Sequence, residues 1–226
     1  MSARIAVLVP GGGVGVRLGS RTPKQFLRLG RTPILEATVA HFRRHPSVVA
    51  IVVAVPTAWL GRARRLLDRR RGAPLTVVEG GATRHESVWR ALLAAPTDAE
   101  IVVVHDAVRP FIDRALVDAV VSAATETGAA ICALPVAETV KRVCDGLVET
   151  TVDRAGLWAV QTPQAFRAAL LREAHEKARR DGVVATDDAM LVERLGHAVR
   201  VVEGRVGNVK ITTPQDLGRA RGRGRD

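Results

Sequence analysis

Residues 5–18, Ile5-Ala6-Val7-Leu8-Val9-Pro10-Gly11-Gly12-Gly13-Val14-Gly15-Val16-Arg17-Leu18, run from an unbroken apolar segment into a loop with almost no side chains. An apolar run this short, closed by proline and glycine, suits a strand covered on both faces. Runs of the same kind return at residues 48–55, 75–78, 101–105, 129–133 and 199–202. Between them the apolar residues take helical spacing: Leu35, Val39 and Phe42, then Trp59, Ala63, Leu66 and Leu67, then Leu116, Val120 and Ala124. Strands alternating with helices specify an α/β fold with a mostly parallel, Rossmann-like sheet flanked by helices. Local signals punctuate it. Thr32-Pro33 reads as a helix start with proline at the first position, Asp113 as a helix cap, and Thr213-Pro214-Gln215-Asp216 as both. Residues 136–158 change character, with short alternating pieces around Asp145-Gly146, and are expected to form a β-arm leaving the sheet.

A chain of 226 residues, 47% hydrophobic, suits one domain, expected over residues 1–218. The longest apolar run, at 48–55, is far below the roughly 18 residues of a membrane span, and nothing suggests export, so a cytoplasmic protein is expected. Cys132 and Cys144 are then reduced thiols acting as packing residues. The net charge of +11 raises nucleic-acid binding as a rival. Six arginines, however, fall between Arg62 and Arg71 on an expected surface helix, and Arg219, Arg221, Arg223 and Arg225 alternate with small residues in a tail, 219–226, expected to be disordered. With 3% aromatic content there are few platforms on which bases could stack, so no nucleic-acid partner is expected.

The loop formed by Gly11, Gly12, Gly13 and Gly15 lets backbone N–H groups approach phosphate oxygens. It is not the NTPase phosphate loop, since no Gly-Lys-Ser/Thr follows, nor the dinucleotide fingerprint, whose third glycine would fall on Leu18. Arg17 and Lys24, the latter in Pro23-Lys24-Gln25, would set two cations beside the same phosphates, where negative charge builds during nucleotidyl transfer. Asp106 ends the strand at 101–105, at the sheet edge where α/β folds bind ligands, and could hold Mg²⁺, while Arg109 could meet a phosphate. An Asp106–Arg109 structural ion pair is the alternative. His105 reads as a packing residue. Gly81, Ala82 and Ser87 lie in a stretch that could read a base edge or could be only a turn and a helix cap.

These motifs together resemble the 2-C-methyl-D-erythritol 4-phosphate cytidylyltransferase family from residue 7 to about residue 217. The matching stretches continue through Thr139-Val140-Lys141-Arg142, Asp153-Arg154-Ala155-Gly156, Thr162-Pro163-Gln164, Thr186-Asp187-Asp188 and Asn208-Val209-Lys210. The resemblance implies a nucleotidyltransferase fold and the joining of CTP to a sugar-alcohol phosphate in isoprenoid precursor synthesis. It implies that Arg17 and Lys24 stabilise the transition state and that Gly81, Ala82 and Ser87 contact cytosine. Asp106 would organise Mg²⁺ (or Mn²⁺) with CTP, and Arg109, Thr139, Arg154, Thr186 and Lys210 would bind the sugar-alcohol phosphate, Arg154 and Lys210 positioning its phosphate for attack. It further implies a homodimer in which the 136–158 arm crosses to the second subunit. A ribitol-5-phosphate cytidylyltransferase is the nearest alternative. Gly11, Gly12 and Ala82 depart from the family pattern, which has Ala at the first two and often an acid at the third. No general base stands among the motifs, which suits a phosphate monoester: with a second pKa of about 6 it is already largely dianionic at neutral pH.

Overall fold

The computed structural model describes residues 3–12, 22–68 and 72–223. Strand β1 (Ile5–Pro10) leads through the short hairpin β2 (Arg28–Leu29) and β3 (Thr32–Pro33) to α1 (Ile34–Arg43) and β4 (Val48–Val55). There follow α2 (Leu60–Leu67), β5 (Leu75–Glu79), α3 (Arg84–Leu93), β6 (Ile101–Val104), α4 (Arg114–Thr127) and β7 (Ala129–Pro135). The arm is β8 (Val140–Cys144) and β9 (Leu147–Val152), after which come β10 (Trp158–Arg167), α5 (Ala168–Arg180), α6 (Ala189–Glu193), β11 (Arg200–Glu203) and α7 (Pro214–Arg223).

Seven strands form one sheet in the order β11-β7-β10-β6-β1-β4-β5, in which β10 alone runs antiparallel to its neighbours. The expected mostly parallel mixed sheet is therefore present, but β10 was not among the expected strands. In the sequence its Thr162, Pro163 and Gln164 stand out only as a motif of the family resemblance. Pro163 is tolerated in a central strand because pairing with β7 shifts register between Val160 and Gln164, where a missing N–H costs no ladder bond. Since β10 runs against β6, residues before Gln164 project past the C-terminal edge of β6, and this is what brings Thr162 to the site.

Alternation along β1 divides the core. Ile5, Val7 and Val9 pack with α1, α2 and α4 on one face, and Ala6 and Leu8 with α3, α5 and α6 on the other. The expected helical stripes are the buried ones: Leu35, Val39, Phe42, Ala63, Leu67, Leu116, Val120 and Ala124 are all nearly inaccessible. Asp113 caps α4, accepting from Leu116 N–H at 2.7 Å, and Thr213 caps α7, accepting from Asp216 N–H at 3.1 Å. At the first helix the boundary is one residue later than expected, since Pro33 is extended and α1 opens at Ile34. The hairpin turn Asp145-Gly146 has positive φ at both positions, 49° and 80°, as a two-residue primed turn requires.

The tail corrects a second expectation. Residues 219–223, expected to be disordered, complete α7, because Ala220 is buried against Ile34, Val108, Ile211 and Leu217, and Arg221 donates to the Arg28 carbonyl. Residues 224–226 lie outside the described residues. Among the described residues, no helix is long and apolar enough to cross a membrane.

Candidate active site

The C-terminal edges of β1, β4, β5 and β6 bring the sequence-predicted groups together. Gly11 donates to the Ala54 carbonyl at 2.7 Å, and the Gln25 side-chain amide donates to the Gly11 carbonyl. That second bond ties the segment carrying half-buried Lys24 to the start of the glycine loop. A Cβ on Gly12 would run into Ser87 Oγ and the Gly81 carbonyl, so glycine is needed there for the two Gly-rich segments to close on each other. Gly13, Gly15 and Arg17 lie outside the described residues.

The 80–87 stretch is held from within. Ser87 Oγ accepts from Gly81 N–H at 3.0 Å and donates to the Thr83 carbonyl at 2.9 Å, while Thr83 Oγ1 caps α3 by accepting from Glu86 N–H. The turn-and-cap alternative thus exists as geometry, and it leaves Gly81, exposed Ala82 and buried Ser87 on the rim beside Gly12. Glu86 accepts from Ala82 N–H at 2.9 Å and from Arg90 at 2.8 Å, so a carboxylate serves this loop even though Ala82 supplies none.

Asp106, only 6% exposed, is the centre of the described site. Its carboxylate meets Lys210 Nζ at 2.9 Å, Arg84 Nε at 3.3 Å and Arg109 Nε at 3.5 Å, and its N–H donates to Thr162 Oγ1 at 3.1 Å. Burial pushes the carboxyl up, but Arg84, Lys210 and Arg109 outweigh it and hold the group far below the usual carboxylate range. The Asp106–Arg109 ion pair does form, yet it is one side of a three-cation cage and not a self-contained helix opening. His105 is fully buried. Its Nε2 lies 3.0 Å from the Arg109 carbonyl and its Nδ1 3.1 Å from Thr162 Oγ1, and burial lowers its pKa to about 4. A neutral ring that braces the 105–109 turn is a packing residue, as expected.

Three tethers place Lys210. Arg109 Nη1 donates to the Asn208 carbonyl at 2.7 Å, Asn208 Nδ2 to the Thr162 carbonyl at 2.7 Å, and Ile211 N–H to the Val108 carbonyl at 3.0 Å. Arg84, Asp106, Arg109, Thr162, Thr186 and Lys210 line one cavity of about 470 Å³. A larger one, about 1070 Å³, lies between α1 and α2 but contains none of the predicted groups, so the chemistry selects the smaller. Thr139 and Arg154 stand apart from it. Both are exposed on the arm, where Arg154 donates to the Ala137 carbonyl.

Sequence reasoning gave no role to Arg84, Thr162, Gln164 or Asp188. Arg84 Nη1 donates to Asp188 Oδ2 at 2.7 Å, and Asp188 N–H to Gln164 Oε1 at 3.2 Å. Asp188 lies in the Thr186-Asp187-Asp188 motif and Arg84 between Ala82 and Ser87, but nothing local distinguishes a buried charge from a solvated one.

Residues 5–222 match the family model for 2-C-methyl-D-erythritol 4-phosphate cytidylyltransferase (IspD). The chain belongs to this family. A 2-C-methyl-D-erythritol 4-phosphate cytidylyltransferase of Syntrophotalea carbinolica is 44% identical over 218 residues, covering 94% of this chain and 93% of its own. One of Bacillus pumilus is 44% identical over 213 residues, with 93% of each covered. The crystal structure of the Thermus thermophilus cytidylyltransferase superposes with a TM-score of 0.82 at 41% identity, over 98% of both chains. The sheet and helices described above are thus those of the cytidylyltransferase family, and Asp106 and its three cations lie at the C-terminal edge of β6.

Proposed function

We propose that this chain transfers CMP from CTP to 2-C-methyl-D-erythritol 4-phosphate, releasing pyrophosphate, in the non-mevalonate route to isoprenoid precursors. The observation that carries this is Asp106 at the C-terminal edge of β6, caged by Arg84, Arg109 and Lys210 in a cavity of a chain that belongs to the cytidylyltransferase family. An oxygen of the sugar-alcohol phosphate attacks the α-phosphorus of CTP. The P–O bond to the β-phosphate breaks as the new one forms, and pyrophosphate leaves with the bonding pair.

Each residue has a task in that step. Lys210 and Arg109 hold the attacking phosphate dianion, which needs no base. Arg17 and Lys24 stabilise charge growing on the α-phosphate and the leaving group, each contributing roughly 3–4 kcal/mol. Gly81, Ala82 and Ser87 take the cytosine edge, and Thr186 on the cavity wall takes the polyol. Among the described residues no three His, Cys, Asp or Glu side chains converge as a metal cage. A single carboxylate fits Mg²⁺, which is commonly held by one or two carboxylates together with substrate phosphates, and Mn²⁺ accepts the same oxygen donors. Asp106 would hold the ion, whose charge would neutralise triphosphate oxygens.

The arm supports a homodimer. Among the described residues its two strands pair only with each other, and Leu147 (75% exposed) and Val148 (62%) lie on its surface, where an isolated hairpin is marginal and an apolar patch calls for cover. Covering it with a second copy would deliver Thr139 and Arg154 to that copy's site. A cytoplasmic setting agrees with Cys132 and Cys144 both being free thiols. Pyrophosphate release with each of the four NTPs, against methylerythritol phosphate and ribitol phosphate, tests the proposal. Turnover confined to CTP with methylerythritol phosphate is expected. A preference for ribitol phosphate would move the chain to the related activity, and no CTP turnover would overturn it.

A further inference from the structure

Asp188 does not touch the cavity's ligand space, yet it is the most thoroughly fixed charge near it. It is 1% exposed, its Oδ1 lies 3.0 Å from Nε2 of the fully buried His175, its Oδ2 accepts from Arg84 Nη1 at 2.7 Å, and its N–H is held by Gln164. Gln164 in turn donates to Asp187 Oδ2 at 2.7 Å, which fixes the segment from both sides. Arg84 therefore stands between two carboxylates. Its shorter contact is to Asp188, and its longer one, 3.3 Å through Nε, is to Asp106.

We propose that Asp188 is a positioning residue that holds Arg84 back from Asp106, leaving Asp106 Oδ1 available to a divalent cation while Oδ2 stays with Lys210 and Arg109. A buried anion cannot be left without its counter-charge, so Arg84 is committed to Asp188 first. Were that commitment removed, the guanidinium would close on Asp106 Oδ1 as a charge-assisted hydrogen bond shorter than the present 3.3 Å. A metal ion entering with the triphosphate would then have to displace that bond to reach Oδ1. This rests on the proposed Mg²⁺–CTP role of Asp106 and goes beyond it by naming what keeps that carboxylate competent.

The test is calorimetric binding of CTP at a series of Mg²⁺ concentrations, with thermal melting alongside and the Mg²⁺ dependence of turnover as a second readout. Asp188→Asn keeps the shape and removes the charge, and should raise the half-saturating Mg²⁺ about fivefold, the size of an ordinary coupling between touching residues. Arg84→Lys should do the reverse, because a lysine's single point charge stays with the buried Asp188 and releases Asp106. The double variant Asp188→Asn with Arg84→Gln should return to the Mg²⁺ dependence of Arg84→Gln alone. If Asp188→Asn does not fold, the direction of the Arg84→Lys shift still decides. A lower melting temperature with unchanged Mg²⁺ dependence, or an equal shift in Asp188→Asn and the double variant, would overturn the inference. Failure of the wild type to bind CTP at any Mg²⁺ concentration would instead overturn the functional proposal beneath it.

Discussion

Lys210 and Arg154 are two cations singled out by the same kind of motif, and the fold treats them in opposite ways. Lys210 ends 2.9 Å from Asp106 on a segment stitched down by Arg109, Asn208 and Ile211. Arg154 leaves the end of a hairpin whose residues 141–151 are all exposed and whose strands pair with no other strand among the described residues. The first is preorganised by its own chain's core, so its electrostatic field is in place before substrate arrives. The second is exposed, and its side chain reaches only as far as the Ala137 carbonyl of its own arm among the described residues. In the proposed dimer, the part of the substrate site that Lys210 and Arg109 supply is built inside one chain, and the part that Arg154 supplies is carried on the other chain's arm.

That division predicts where damage is felt. On the nucleotide side, Lys24→Ala and Arg17→Ala should each lower kcat by roughly 10²–10³ with the fold retained, because each removes a charge used most in the transition state. Steady-state kinetics on variants with wild-type circular dichroism checks this, and a loss below about threefold would remove those cations from the proposed machinery. Asp106→Asn should show a smaller and conditional defect, a rightward shift of activity against Mg²⁺ concentration as an anionic ligand is lost. An unmoved titration would confine Asp106 to bracing the cation cage.

At Asp216, which does not line the cavity, the effect should be least. Asp216 accepts from Thr212 N–H at 2.9 Å, then from Thr212 Oγ1 and Thr213 N–H at 2.8 Å each, and these bonds lower its pKa to about 2. A carboxyl depressed in the folded state stabilises above its unfolded pKa of about 4 and loses that contribution as pH falls through about 2. Asp216→Asn should therefore lower the melting temperature slightly at neutral pH, flatten the acid limb between those values and leave kcat unchanged. A change in kcat would connect α7 to the chemistry.

What could be read in the sequence was what is local. The apolar run at residues 5–9, the Asp113 and Thr213 caps and the Asp145-Gly146 turn each depend on neighbours a few residues away, and each is where it was expected. β10 escaped because Gln161, Thr162 and Pro163 contradict a central strand unless one knows that the ladder breaks there. Arg84 escaped because its partner Asp188 is 104 residues away, and a charge pair made by folding leaves no spacing to recognise. The tail misled through composition: alternating glycine and arginine argued for disorder, while Ala220 buries against α1 and the Ile211 segment. Asp106 stands out in the sequence at the end of an apolar run, but its cage is only half visible there, since Lys210 and Arg109 lie in motifs and nothing ranks them by distance.

Subunit mixing tests the division most directly. Homodimers of Lys24→Ala and of Arg154→Ala should both be nearly inactive. In a hybrid, one site takes intact Lys24 from one chain and intact Arg154 from the other, while the second site carries both defects, since a two-fold exchange is reciprocal. Random re-association of equal amounts makes half the dimers hybrids with one good site in two, so activity should recover to about a quarter of wild type. If mixing under conditions shown to exchange subunits restores nothing, Arg154 serves its own chain and the two halves do not meet across a dimer.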